Sequence, residues 1–184
     1  DSNPKGELEF SRRFRRWESH PDYKDVHVLQ LATTIRPAEN GKKIVALVEQ
    51  RNVERALPVF LSALKYVVDA IIVLDDVSTD RSRLVLMQSV LKGLPVELLI
   101  NMTGPWKRQE LRHRQILLYF GRKVAGTHFV LPDYDEIFSA NCATNGLLRR
   151  RILELAPGDS LYVPWVEVWK SVKLQRVLPS DPDM

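Results

Sequence analysis

The sequence predicts an α/β fold: a mainly parallel sheet with helices on both faces. Three observations lead there. Short apolar runs at residues 44–48 and 70–74 show no polar alternation, which marks strands covered on both sides, and further strand-like runs follow at 96–100 and 127–131. Segments of helical spacing separate the runs. The links between them are short, as successive βαβ units require.

Composition sets the outer bounds. The chain has 184 residues, 45% hydrophobic and 27% charged, which suits one globular domain with a sizeable core. No apolar run approaches a membrane span of roughly 20 residues. No signal-peptide pattern opens the chain, which starts at Asp1 rather than Met and reads as trimmed. A lone cysteine, Cys142, excludes an internal disulfide, argues against a cysteine-based zinc site, and points to a reducing, cytoplasmic setting. The net charge of +4 is gathered into knots at Arg12, Arg13, Arg15 and Arg16, at Lys107, Arg108, Arg112 and Arg114, and at Arg149, Arg150 and Arg151. Such knots suit phosphates or acidic lipid, or simply a solvated face. They lack the interleaved aromatics of a nucleic-acid stacking surface, so no nucleic-acid partner is expected.

Residues 1–41 read as an N-terminal appendage. Phe10, Phe14 and Trp17 make one stripe of a short basic helix, either docked on the main domain or resting on an anionic membrane face. Residues 26–35 suit a strand or a helix equally. Residues 37–43, with Asn40-Gly41, form a turn. The main domain, residues 42–184, opens with the strand at 44–48. Glu49-Gln50-Arg51-Asn52 ends it, and Asn52 is placed to cap a helix carrying Ala56, Phe60, Ala63, Leu64 and Val67, with Pro58 in its first turn. The strand at 70–74 runs into Asp75-Asp76-Val77-Ser78-Thr79-Asp80, where Ser78 or Asp80 can cap the next helix, which Gly93 stops. The third strand leads through a Gly104-Pro105 loop to a long helix over 107–124, with a Glu110/Arg114 pair and Gly126 at its end. The fourth strand rises to Pro132-Asp133-Tyr134-Asp135-Glu136. A helix over 141–155 and a strand over 161–169 close the chain.

Right-handed crossovers place all the C-terminal strand ends on one rim, where ligands bind in such sheets. Glu49 to Asn52, Asp75 to Asp80 and Asp133 to Glu136 should therefore meet. Asp133 and Asp135 offer paired hard oxygens for a divalent cation that bridges phosphates, although a bare D-x-D is common by chance. Asp75 and Asp76 close the second strand, where a carboxylate can accept hydrogen bonds from a base or ribose; alternatively Asp76 and Asp80 only shape and cap the turn, and both roles can hold at once. No G-x-G-x-x-G and no G-x-x-x-x-G-K-[ST] occurs, which argues against a nicotinamide dehydrogenase and a P-loop NTPase. Phosphate charge then falls to a metal and to Arg108, Arg112 or Arg114.

The order of polar turn, D-D-x-S-x-D turn and D-x-D strand end, spread over residues 44–140, resembles the family-2 type glycosyltransferases with the GT-A (Rossmann-like) fold. The resemblance implies a nucleotide-sugar donor, usually a UDP sugar, with Mn²⁺ or Mg²⁺, and inverting transfer to the hydroxyl of a carbohydrate or glycoconjugate acceptor. By position it assigns Asp75 to the base or ribose, with Asp76 beside it and Glu49 and Arg51 lining the pocket. It assigns Arg112 (or Arg108 or Arg114) to the diphosphate, and Asp133 and Asp135 to the metal. The family keeps its catalytic base well beyond the D-x-D, and this chain ends at Met184, short of a full acceptor half. In residues 163–169, alternation puts Trp165, Glu167 and Trp169 on one face, so Glu167 is the candidate base beside two sugar-stacking indoles; the same residues would serve equally as core. His113 and His128 read as structural. The competing functions are a nucleotidyltransferase, for which the first turn lacks glycines, and a non-catalytic flavodoxin- or receiver-like module, in which Asp133 and Asp135 have no role.

Overall fold

The structure is a computed structural model that describes residues 15–16, 25–31, 38, 40–107, 109–139 and 146–163. It divides into two compact units, Asp1–Glu154 and Leu155–Met184. The first holds a six-stranded sheet made of β1 (Arg15–Arg16), β2 (Val26–Gln30), β3 (Ile44–Gln50), β4 (Ala70–Asp75), β5 (Val96–Met102) and β6 (His128–Val130). Its helices are α1 (Leu57–Leu64), α2 (Ser82–Leu91), α3 (Glu110–Lys123) and α4 (Leu147–Glu154). In the second unit, the described residues 155–163 contain a turn at Gly158, closed by hydrogen bonds from Asp159 N–H to Ala156 O and from Ala156 N–H to the Asp159 carboxylate.

The strand order is β1-β2-β5-β4-β3-β6. β3, β4, β5 and β6 are parallel, and β2 and β1 extend the sheet antiparallel beyond β5. The chain moves outward from β3 to β4 to β5, then returns through α3 to lay β6 on the other side of β3. That reversal is a topological switch point, and it places a crevice at the C-terminal ends of β3 and β6. The α/β class with a mainly parallel, doubly covered sheet is thus as the sequence predicts.

Both faces are packed. Ile44, Ala46 and Val48 of β3, with Ile71 and Val73 of β4, pack with Leu57, Phe60, Leu61 and Leu64 of α1, Leu86 of α2, and Leu148 and Ile152 of α4. Val45 and Leu47, with Ile72 and Leu74, face Ile116, Leu117 and Phe120 of α3. Successive strand residues point to opposite faces, so an unbroken apolar run fills both layers.

Several boundaries differ from the expectation, each for a local reason. Residues 26–35, ambiguous by periodicity, contain β2, whose Val26 and Leu29 are buried; part of the expected appendage is therefore an edge of the main sheet. Asn52 does not cap α1. It sits at a φ of 52°, and the helix begins five residues later, with Ala56 at the cap and Pro58 in the first turn. Gly93, at a φ of 80°, ends α2 as expected. At the end of α3 it is Ala125 that takes the left-handed conformation, with a φ of 61°. Gly126 is needed there for space: a Cβ would lie 2.7 Å from Gly121 O and 2.7 Å from Val45 Cγ2. Helix α4 is seen from Leu147; residues 140–145, including Cys142, lie outside the described residues. Residues 161–163 are not strand, and the remainder of that expected strand, with Glu167 and both tryptophans, lies outside the described residues, as does the stripe of Phe10, Phe14 and Trp17.

Candidate functional site

The turn after β3 and the turn after β4 are stitched together. Asn52 Oδ1 accepts from Thr79 N–H at 2.8 Å and from Asp80 N–H at 3.3 Å, and in return Asn52 N–H donates to Ser78 Oγ at 3.0 Å. Val53 N–H donates to Ser82 Oγ at 2.8 Å and Glu54 N–H to Asp80 Oδ2 at 3.1 Å. Asp80 Oδ1 also accepts Ser82 N–H at 2.9 Å, but the cap position of α2 is Arg81 rather than Ser78 or Asp80 as the sequence suggested. Burial alone would raise the Asp80 carboxyl; the hydrogen bonds from Ser82 and from Glu54 N–H outweigh it and hold the group below its ordinary value. Val77, at a φ of 55°, occupies a conformation that costs a β-branched side chain on the order of 1–3 kcal/mol. Strain of this kind persists only where the surroundings impose it.

Asp75 lies fully buried beneath these turns. Its Oδ1 accepts Gln50 Nε2–H at 3.1 Å and its Oδ2 accepts Ser78 N–H at 3.1 Å, with Arg83 Nε 3.8 Å away. Both of its oxygens thus have partners within the protein, one on β3 and one in the turn. Asp76, next along the chain, instead accepts the indole N–H of Trp106 at 2.6 Å. The Arg51 guanidinium lies over the same indole, 4.1 Å from the ring centroid.

Helix α3 closes the site from the other side. His113 is fully buried, and its Nδ1 lies 2.8 Å from Glu49 Oε1. Glu49, Asp76 and His113 each offer one ligand atom, and these three atoms lie within 4.8 Å of one another. A mixed nitrogen and oxygen set of this kind suits Mn²⁺ or another transition ion. The metal set read from the sequence is a different one. Asp133 and Asp135 are both exposed, Asp133 N–H donates to Glu136 Oε2 at 3.0 Å, and Asp133 Oδ1 is 3.3 Å from Arg114 Nη2. Two open carboxylates would suit a hard cation.

Arg114, next to His113, thus reaches the D-x-D, while Arg112 turns to Asp25 at the edge of the sheet, with 2.8 Å from Nη1 to Oδ2. The Arg112 hydrogen bonds, against the opposing effect of burial, hold the Asp25 carboxyl below its ordinary value. Among the three arginines considered for the diphosphate, Arg114 is the one seen beside the acids; the side chain of Arg108 lies outside the described residues.

Buried polar atoms without a hydrogen-bond partner gather on this rim. Among the described residues they are Gln50 Oε1, Arg51 Nε and His113 Nε2, with Asp69 Oδ1 at the other end of the sheet. Trp106 and His113 lie at this rim, and the sequence reading assigned neither of them to it. Trp106 read only as part of a loop, although a tryptophan beside Gly104-Pro105 at a strand's C-terminal end was a visible signal. His113 read as structural because a single helical histidine on an apolar face shows nothing of what it meets.

No protein-family model and no curated protein matches the sequence. Among solved structures, the chain is similar to the mannosyltransferase PcManGT from Pyrobaculum calidifontis in complex with GDP-Man and Mn²⁺, with a TM-score of 0.46 and 17% identity. The match covers 73% of this chain and 36% of that one, so the chain spans well under half the length of that protein. A likeness this distant leaves the site to be judged by its own residues. Among the described residues, no helix is long and apolar enough to cross a membrane.

Proposed function

We propose that the chain carries the donor-binding half of a metal-dependent glycosyltransferase acting on a nucleotide sugar, with a UDP sugar the first candidate. One observation carries this reading. Gln50, Arg51 and His113 keep buried polar atoms without partners, and all three lie at the C-terminal end of β3 or against it, beside the switch point. Buried polar groups are ordinarily satisfied, and a local concentration of exceptions supports a binding site. Asp76, Glu49 and Arg51 would line the nucleoside end. Asp133, Asp135 and Arg114 would face the diphosphate. A bound divalent cation would supply charge neutralisation for the leaving diphosphate. Arg114 would hold the diphosphate in place by its planar fork, and an acceptor hydroxyl would displace it with inversion. Glu167 stays the proposed base.

Thermal unfolding with UDP, GDP and their sugars, with and without Mn²⁺, tests this. A nucleotide at a hundredfold excess over its Kd should add about 2.7 kcal/mol and raise Tm by several degrees, and the gain should need the metal. Asp135→Ala should keep the fold and lose the metal-dependent part. No response to any nucleotide with metal present would overturn the proposal. A metal-independent response would favour a non-catalytic nucleotide-binding module.

A further inference from the structure

Trp106 stands in the loop after β5, on the same rim as the acids, and its side chain is held from two neighbouring strands. Asp76, just beyond β4, takes its indole N–H at 2.6 Å, and Arg51, just beyond β3, covers one ring face at 4.1 Å. With the edge pinned and one face covered, the ring plane is fixed. Yet Trp106 remains 48% exposed. A large aromatic side chain held in place and half open to solvent presents a flat apolar surface whose ordering cost is already met by the fold, and that is what favours stacking of a planar ligand.

The position chooses the ligand. Trp106, Asp76 and Arg51 lie on the β5–β4–β3 side of the crevice, whereas Asp133 and Asp135 follow β6, on the far side of β3, with Arg114 reaching Asp133 from α3. Strands are spaced about 4.8 Å apart, so β4 and β6 stand about 10 Å apart across β3. A ligand with a phosphate group at one end and a planar ring at the other can lie across that gap. We infer that Trp106 is the stacking platform for the nucleobase of the donor, with Asp76 and Arg51 as the residues that position it. This rests on the nucleotide-sugar reading and adds the residue that grips the base. Stacking of this kind tolerates any base, so Trp106 supplies affinity, and the choice among bases falls to polar atoms at the rim such as Gln50 Oε1.

Calorimetric titration of the protein with UDP, GDP and inorganic pyrophosphate, each with Mn²⁺, tests the inference. A base–aromatic stack is worth enough that Trp106→Ala should weaken nucleoside diphosphate binding by roughly tenfold to a hundredfold. Pyrophosphate binding should stay unchanged, and Trp106→Tyr should restore most of the nucleotide affinity. Wild-type nucleotide affinity retained in Trp106→Ala overturns the inference and leaves the donor reading intact. An equal loss for pyrophosphate overturns it too, because the residue would then be acting on the site as a whole. Failure of the wild-type protein to bind any nucleotide removes the donor reading and this inference together.

Discussion

At the N-terminal end of the parallel strands, Lys43 Nζ donates to Glu97 Oε2 and to Val124 O, both at 2.8 Å, and both charged side chains are buried. Beside them, Asp69 Oδ2 accepts Ile44 N–H at 2.8 Å and Asp69 Oδ1 forms an ion pair with Arg149 Nη2 at 2.9 Å. At the C-terminal end of the same strands, Gln50, Arg51 and His113 hold buried polar atoms that meet no partner, and Asn52 and Val77 adopt positive φ. One end of the sheet is matched in charge; the other carries most of the unpartnered buried polar atoms among the described residues. The difference separates buried charge that holds the fold from polar groups placed for something else, since stability and function make opposite demands on a buried polar atom.

The contrast breaks most readily at Lys43. Lys43→Met leaves Glu97 buried without a counter-charge, and should cost about 3–5 kcal/mol in urea unfolding. Adding Glu97→Leu should recover most of that loss, because two apolar side chains replace a pair whose desolvation was itself expensive. A single variant as stable as the wild type would show that the lower end is no better matched than the upper.

Gly126 sharpens the same point one turn away. Gly126→Ala drives a methyl to within 2.7 Å of Gly121 O and 2.8 Å of Phe129 Cε1. The backbone oxygen cannot swing aside, so α3 must shift on β3, at about 1–3 kcal/mol. Thermal unfolding reads this directly, and nucleotide binding should survive below the lowered Tm.

Asp80 tests the upper end at low pH. Its carboxyl is held below the ordinary 3.8 by the hydrogen bonds it accepts from Ser82 and from Glu54 N–H. A lowered folded-state pKa contributes stability above the unfolded value, and that contribution fades as pH falls through the folded one. Wild-type Tm should therefore drop more steeply than that of Asp80→Asn once pH goes below about 4. Parallel curves for the two proteins would mean that the stitched turns owe nothing to the Asp80 charge.

The sheet was legible because its strands are buried on both faces, and continuous runs such as residues 44–48 and 70–74 have no other economical reading. Element ends were less so. Asn52 has the side chain of a helix cap, but its side-chain oxygen serves the neighbouring turn after β4, a partner 27 residues away that no local pattern reveals. Gly126 was read as a helix stop, yet what requires glycine there is the approach of Val45 and Gly121, which is again tertiary. In the site, the acids were visible as motifs, whereas the separation of Asp75 from Asp76, one building the turn and the other gripping Trp106, depends on which way two adjacent carboxylates point. His113 was hidden for the same reason, because its significance lies in Glu49, 64 residues away.

His113 carries the smallest expected effect and the sharpest version of the comparison. His113→Leu is a buried polar-to-apolar exchange like Lys43→Met, made at the other end of the sheet. It removes the contact with Glu49, but Glu49 is 26% exposed at its side chain and can turn to water. It also removes an Nε2 that has no partner, and an unsatisfied buried polar atom itself costs on the order of 1–3 kcal/mol. The two effects oppose each other, so urea unfolding should place the variant within about 1 kcal/mol of the wild type, on either side. Metal-dependent nucleotide affinity should fall all the same, because Glu49 loses the group that orients it at the rim. A loss of several kcal/mol would make His113 a structural partner of Glu49, and the two ends of the sheet would then be alike.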